Sequence, residues 1–290
     1  MQITLQPGLT GLKSLELEIT GKCQLTCTHC LTTSSPQATD GTMTREDWRS
    51  VIKEAAALGI PHVQLIGGEP TVHPCWAEFV DLALSLGLKV EIFSNLYKVL
   101  PSWWETFERD GVTLATSYYS NDPDEHDTIT GKPGSYVRTR SNIREAVRRG
   151  ITLRAGIVDV LDGQHVTEAR AELRSMGVTQ ILTDRVRAVG RAALPGQTPT
   201  VDALCGRCAH GRAAVLPNGD VAGCVLSRFL PGGNVLSRSL GDILKSAEWA
   251  ATVDRLPSRA AANPCDPDCN PAKDGGDCSP AEQEACDPAY

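Results

Sequence analysis

Strand and helix patterns alternate along the first two-thirds of this chain, and that alternation limits what it can fold into more than any other feature. Apolar, strand-like runs recur at 14–19, 62–66, 88–93, 112–117, 151–159 and 179–186. Between them lie helix-period segments at 44–58, 76–87, 101–109, 138–149 and 166–176. Thr44, with Asp47 three residues on, has the form of a helix entry, and Gly59 follows the last apolar turn as a stop. Regular repetition with short connections calls for parallel strands with helices packed outside them. Six units fall short of the eight that close a barrel. The expected fold is therefore α/β, a partial (β/α)6 TIM-like barrel. At 290 residues and 41% hydrophobic, the chain can bury such a core and still carry a small appendage.

The appendage announces itself through cysteine. Of eleven cysteines, one (Cys75) lies between residues 31 and 204, whereas seven lie between 205 and 290. Residues 185–204 hold Gly and Pro with little periodicity and read as a bridging segment. The expected organisation is thus a barrel over 1–184, a bridge over 185–204 and a cysteine-rich extension over 205–290. The last 29 residues are rich in Pro, Asp, Asn, Gly and Cys, with hardly any apolar side chain larger than alanine. Such a segment buries no core of its own, so it is either disordered or held by metal bonds. Cys265, Cys269, Cys278 and Cys286 favour metal. Cys75 belongs to no pattern and reads as a small packed residue.

Cys23, Cys27 and Cys30 follow the first strand with the spacing C-x3-C-x2-C. Three thiolates in one short loop are one too few for a closed zinc site or an ordinary electron-transfer cluster. Three ligands that wrap a cubane leave one iron open, and an open metal position is where a substrate or cofactor binds. The competing reading is a zinc knuckle completed by His29 or a distant residue. Disulfides fit poorly, because the chain shows no signal-peptide stretch and no run long enough to span a membrane. A cytoplasmic location, where thiols stay reduced, is expected.

Net charge is −7 and the sequence pI about 5.4, which argues against a nucleic-acid footprint. Arg138, Arg140, Arg144, Arg148 and Arg149 are spaced as a solvated helix face.

With Gly67-Gly68-Glu69-Pro70 ending a second strand, the cysteine triplet resembles the radical SAM superfamily. The resemblance implies that Cys23, Cys27 and Cys30 hold a [4Fe-4S] cluster whose fourth iron chelates S-adenosylmethionine. It also implies reductive cleavage of that cofactor and hydrogen-atom abstraction from an unactivated C–H bond, with the cofactor supplying the chemistry and the protein the orientation. By the same resemblance His29 lies near the adenine, and Gly67, Gly68, Glu69 and Pro70 meet the methionine amino group. Two glycines permit close backbone approach, and the proline fixes the turn. Ser94-Asn95 stands where relatives often have Thr-Asn-Gly, with Leu96 in place of the glycine. Ser117 matches a ribose-contacting position. Arg154 is either a partner of the cofactor carboxylate or half of a structural ion pair. The stretch from His126-Asp127 to Gly131-Lys132-Pro133-Gly134 resembles a family loop of structural role.

Beyond residue 204 the chain resembles the SPASM and twitch extensions, which carry one or two auxiliary iron–sulfur clusters. Cys205, Cys208 and Cys224 flank an expected hairpin turning at Pro217-Asn218-Gly219-Asp220, an Asn-Gly turn between apolar runs. Gly219 and Cys224 match a G-x4-C element, and Leu240 to Trp249 resembles the helix between the cysteine groups. The late spacing, C-x3-C-x8-C-x7-C, departs from the common SPASM run and leaves two assignments. Either Cys205, Cys208, Cys224 and Cys286 hold one cluster and Cys265, Cys269 and Cys278 a second, or Cys205, Cys224, Cys265 and Cys269 hold a single cluster. A leftover thiol, Cys208 in the second case, could donate a hydrogen atom to a substrate radical.

The resemblance points to an enzyme that modifies a ribosomally synthesised peptide by crosslinking or epimerisation. A dehydrogenase or epimerase of a small molecule such as an aminocyclitol antibiotic is the alternative. An iron–sulfur or zinc electron-transfer module without radical chemistry is the reading from another class. The implied partners are a reductase such as flavodoxin or ferredoxin and a precursor peptide or small-molecule substrate, with neither nucleic acid nor membrane.

Overall fold

The computed structural model describes residues 11–193 and 196–257. Strand β1, Ser14–Thr20, alternates as a strand must, with Leu15, Leu17 and Ile19 on one face and Ser14, Glu16, Glu18 and Thr20 on the other. Both faces are buried, as in a parallel sheet covered on two sides. The leucines and Ile19 join the main core with Trp48, Val51, Ile52 and Ala55 of helix α1, Arg45–Ala57. Those four recur at helical spacing, which lays one apolar stripe on the sheet. The expected helix entry forms as a capping box: the Thr44 side chain accepts from the Asp47 amide and the Asp47 carboxylate accepts from the Thr44 amide.

The alternation continues through β2 (His62–Gly67), α2 (Trp76–Ser85), β3 (Lys89–Phe93), α3 (Trp103–Phe107) and β4 (Val112–Ser117). Helices α4 (Pro123–Thr130) and α5 (Ser135–Arg148) precede β5 (Leu153–Asp159), α6 (Val166–Ser175) and β6 (Gln180–Arg185). Strands β1 to β6 lie in sequence order, all parallel, and β6 forms an edge, so hydrogen bonds do not close the barrel. This is the partial barrel read from the sequence.

The other edge was not foreseen. Strand β7 (Arg212–Val215) runs parallel to β1, with Ser14–Leu17 in register with Arg212–Val215. Strand β8 (Val221–Ala222) returns antiparallel to β7. The expected Asn-Gly hairpin therefore forms, with Gly219 at φ +87°, and it extends the barrel sheet directly.

Two local expectations need correction. The stretch read as a loop from His126 is mostly helix α4: the Asp122 side chain accepts from the Glu125 amide, Pro123 opens the first turn, and Gly131 at φ +65° ends it. The single helix expected from Leu240 to Trp249 is two, α7 (Leu240–Leu244) and α8 (Ala247–Arg255). Ser246 interrupts it, because its hydroxyl caps the Trp249 amide and restarts the helix.

The arginines of α5 behave as a solvated face. Arg148 and Arg149 pair with Glu145, Arg149 also with Glu108, and Arg140 with Glu172. Among the described residues no helix is long and apolar enough to cross a membrane.

Candidate functional site

The loop after β1 carries Cys23, Cys27 and Cys30, and distant segments fix its backbone. The Cys23 amide donates to the Ser35 carbonyl at 3.0 Å. Thr26 and Thr28 donate to the carbonyls of Thr130 and Ile129 at 3.0 and 2.9 Å, so the C-terminal turn of α4 acts as an edge for the loop. Gly131 must be small there, since an added Cβ would stand 2.5 Å from Thr26 Oγ1. On the other side Arg191 donates from its backbone to the Cys30 carbonyl at 2.8 Å and from its guanidinium to the carbonyls of Cys27 and Ser34.

The sulfurs take few bonds. Cys23 Sγ accepts from the Leu25 amide at 3.4 Å and from Asn95 Nδ2 at 3.5 Å, and Cys30 Sγ accepts from the Ser34 amide at 3.3 Å. Burial pushes the Cys23 thiol well up, with the Glu69 carboxylate adding to the shift, and pushes Cys27 up to about 12. Metal binding here therefore releases protons, because only the thiolate is a ligand.

Among the described residues no three or more His, Cys, Asp or Glu side chains close on a single-ion position. His29 packs edge-on against Tyr119, with ring centroids 5.0 Å apart. Its Nδ1 is buried without a partner, and burial with the nearby Arg191 charge lowers its pKa to about 4.

The Gly67-Gly68-Glu69-Pro70 segment packs onto the same loop. Gly67 sits at φ +148°, and an added Cβ would lie 2.3 Å from the Thr20 carbonyl oxygen. A Cβ on Gly68 would lie 2.4 Å from the Lys22 carbonyl oxygen and 2.9 Å from Cys23 Cβ. Glu69 follows, 1% exposed, and Pro70 begins a short 3-10 turn. The Glu69 carboxylate accepts from the Thr71 amide and hydroxyl at 3.2 and 2.7 Å and from the Asn95 amide at 2.8 Å. None of these donors is a cation, and burial raises its pKa. A buried carboxylate without a cation, beside three thiols and an orphaned imidazole nitrogen, suits a ligand that brings an ammonium group.

Asn95 joins the two halves of the site. Its amide reaches Glu69, its side chain reaches Cys23 and Gln24, and its carbonyl accepts from Thr139 at 2.9 Å. Ser94 is buried and accepts from the Leu96 amide at 3.1 Å. Leu96 stands at φ +51°, the left-handed conformation a glycine would adopt freely, while its side chain is fully buried. The departure from Thr-Asn-Gly thus changes the residue and keeps a glycine-like backbone.

Ser117 ends β4, with its hydroxyl within reach of Tyr119. Arg154 binds Glu91 through two nitrogens at 2.6 and 2.7 Å and lies 5.4 Å from the Phe93 ring. Its charge is engaged by that carboxylate.

The barrel interior holds more charge than the sequence reading recognised. Glu16, Gln64 and Glu91 stand in register across β1, β2 and β3. Glu16 accepts from the Val225 amide at 2.9 Å and faces Arg212 at 3.4 Å, while Glu18 pairs with Arg228 at 2.8 Å. Glutamates at alternate positions of a strand that must be buried were a readable signal. Arg191, Arg212 and Arg228 come from beyond the barrel, and nothing in their sequence surroundings marked them.

In the extension, Cys208 is fully buried and Cys224 nearly so, with their sulfurs 2.7 Å apart. Leu204, Leu230 and Leu256 surround them. A hydrogen bond from Cys208, with Arg187 and Arg212 nearby, holds the half-buried Cys205 thiol below its usual range. Cys265, Cys269, Cys278 and Cys286 lie outside the described residues.

A model of the radical SAM superfamily matches residues 17–174, more than half of the chain. The chain belongs to the radical SAM superfamily. A model of an iron–sulfur cluster-binding domain, SPASM, matches residues 196–270. The chain thus joins a radical SAM domain, whose family is built around a [4Fe-4S] cluster and S-adenosylmethionine, to a C-terminal SPASM domain that binds auxiliary iron–sulfur clusters.

An AdoMet-dependent heme synthase of Methanosarcina barkeri is 32% identical over 133 residues, covering 46% of this chain and 38% of the relative. A PqqA peptide cyclase of Ruegeria pomeroyi is 31% identical over 140 residues, covering 47% and 37%. These matches span well under half of those relatives. Mycofactocin maturase MftC of Mycobacterium ulcerans is 26% identical over 302 residues, covering 89% of this chain and 81% of the relative. The crystal structure of Streptococcus suis SuiB bound to S-adenosylmethionine superposes with a TM-score of 0.66 at 16% identity, over 82% of this chain and 66% of that one, which supports the fold.

Proposed function

We propose that this enzyme modifies a ribosomally synthesised peptide, forming a crosslink or inverting an α-carbon. The observation that carries the reading is the reach of its likeness to a peptide maturase, which covers 89% of this chain and 81% of MftC. A PqqA peptide cyclase and the subtilosin biosynthesis protein AlbA of Bacillus subtilis, similar over about half of this chain, lean the same way.

When bound, the cluster and S-adenosylmethionine supply one-electron cleavage of the cofactor and, through it, removal of a hydrogen atom from an unactivated C–H bond. The chain does the rest. Cys23, Cys27 and Cys30 would hold the cluster, on a loop that the protein positions by its own backbone. Glu69 would receive the cofactor's ammonium group, and Gly67 and Gly68 let the end of β2 pack directly on the Thr20–Cys23 backbone. His29 and Ser117 would line the nucleoside. Glu16, Glu18, Gln64 and Glu91, with their arginine partners, give the interior a polar lining that can order a peptide segment. Cys205, Cys208 and Cys224 would serve an auxiliary cluster with ligands from the tail. Cys208, with no exposed surface, serves better there than as a hydrogen-atom donor.

The test is a search of the neighbouring reading frames for a short peptide, then incubation of that peptide with the reduced, reconstituted enzyme and mass spectrometry in deuterated water. Loss of two hydrogens supports crosslinking, and uptake of one solvent deuterium at unchanged connectivity supports epimerisation. An unmodified peptide, together with turnover of an aminocyclitol, would replace this reading with the small-molecule one.

A further inference from the structure

We infer that Arg191 is a positioning residue of the cluster loop: from the segment beyond the last barrel strand, it holds Cys27, Cys30 and Ser34 in place and sets a permanent cation beside the cluster. The two residues of the Gly190-Arg191 pair act differently. Gly190 sits at φ +63°, and an added Cβ would stand 2.3 Å from the Leu31 carbonyl oxygen and 2.5 Å from that of Cys30. The backbone at this point therefore lies directly on the loop. Arg191 then satisfies three carbonyls: Cys30 through its amide at 2.8 Å, and Cys27 and Ser34 through two guanidinium nitrogens.

The guanidinium fork suits this task. Its nitrogens diverge in a fixed plane, so one side chain can span two carbonyls on opposite limbs of the turn. A lysine ammonium could serve one of them well. The turn needs such support, because Thr33 within it stands at φ +57°. All three of these partners are neutral carbonyls, so none of them cancels the cation.

That charge has a redox consequence. One electron from an external donor adds one negative charge to the cluster, and a cation held beside it favours the reduced state. Net charge and hydrogen bonding near a cluster are among the terms that set its potential. Arg191 therefore raises the midpoint potential and fixes the loop at once. This role is independent of which substrate the enzyme takes.

The experiment compares wild type, Arg191→Lys and Arg191→Gln. Anaerobic dithionite titration is followed by electron paramagnetic resonance, using the signal that shifts on adding S-adenosylmethionine to separate this cluster from auxiliary ones. Arg191→Gln is expected to lower the reduction equilibrium constant about tenfold, about 59 mV for one electron. Arg191→Lys is expected to keep most of the wild-type potential. In cluster-free protein, amide exchange of residues 28–34 is expected to be faster in both variants, because neither spans the two carbonyls. That second measurement needs no cluster and decides the positioning role even if a variant loads iron poorly. An unchanged potential in a fully loaded Arg191→Gln protein would overturn the electrostatic role. Unchanged exchange in both variants would overturn the positioning role.

Discussion

Two groups of cysteines in this molecule are built on opposite plans. Cys23, Cys27 and Cys30 lie on a loop whose backbone is fixed by α4, by the segment at Ser35 and by Arg191, while their sulfurs take only weak bonds. Cys205, Cys208 and Cys224 instead lean on one another and on three leucines, with two sulfurs at 2.7 Å. In the first group the surrounding backbone carries the geometry, and the sulfurs of Cys23 and Cys27 are buried with few partners. In the second the thiols are part of the packing. The lesson is that one chain can prepare a metal site through hydrogen bonds from afar, or tie it to the stability of the segment that holds it.

Chelation sharpens this contrast most. Stripping iron should raise amide exchange strongly across residues 204–209 and 223–226 and only slightly across 23–30, measured by hydrogen–deuterium exchange with mass spectrometry. Equal loss of protection in both regions would break the comparison.

The next largest effect concerns Leu96. Leu96→Gly would relieve roughly 1–2 kcal/mol of left-handed strain. It would also remove a fully buried leucine, which costs roughly 3–5 kcal/mol or more. Burial wins, and a net loss of about 1–4 kcal/mol is expected in urea unfolding, with cluster loading largely kept. A stabilised variant would show that strain dominates.

Gly68→Ala acts on the site itself. Its Cβ would meet the Lys22 carbonyl at 2.4 Å and Cys23 Cβ at 2.9 Å. A loss of roughly 1–3 kcal/mol is expected, and with it a lower iron content in the first cluster alone. Wild-type iron and stability would show that the loop yields.

The last effect, felt only as the pH falls, is on acid stability and belongs to the support beneath the loop. His126, 1% exposed, packs among Tyr118, Tyr119 and Tyr136, with Ser135, Asp127 and Glu172 nearby, and burial pushes its pKa down to about 4. The unfolded imidazole takes its proton near pH 6.5, the folded one only near pH 4. His126 therefore contributes stability above pH 6.5 that is lost as pH falls toward 4, roughly 3 kcal/mol at most. His126→Gln should flatten that part of the stability curve in cluster-free protein. An unchanged slope would assign the loss to other groups.

Much of the barrel was legible because each unit announces itself locally. Thr44 and Asp47 cap α1 as their spacing promised, and Asn218-Gly219 turned where a hairpin was expected. Helix α4 was missed although Asp122-Pro123 and Gly131 bracket it, because its short apolar stripe carries little periodic signal. The parallel pairing of β7 with β1 was beyond reach, since the two strands lie almost two hundred residues apart and nothing local fixes their register. The site divides in the same way. The cysteine triplet stands out once the strand before it and Gly67-Gly68-Glu69-Pro70 after a second strand are read with it. Arg191, Arg212 and Arg228 do not, because their partners are distant carbonyls and carboxylates that only the folded sheet brings near.

The central claim is that the loop of Cys23, Cys27 and Cys30 works as a separate site, distinct from the thiols of the extension. The most direct test is 5′-deoxyadenosine formation from S-adenosylmethionine by the reconstituted, reduced protein, with iron counted in the same samples, for wild type and for the variant carrying Cys23→Ala, Cys27→Ala and Cys30→Ala. The account predicts product from wild type, none from the variant, and about four or about eight irons still bound to the variant. Product from the variant, or loss of all its iron, would contradict it.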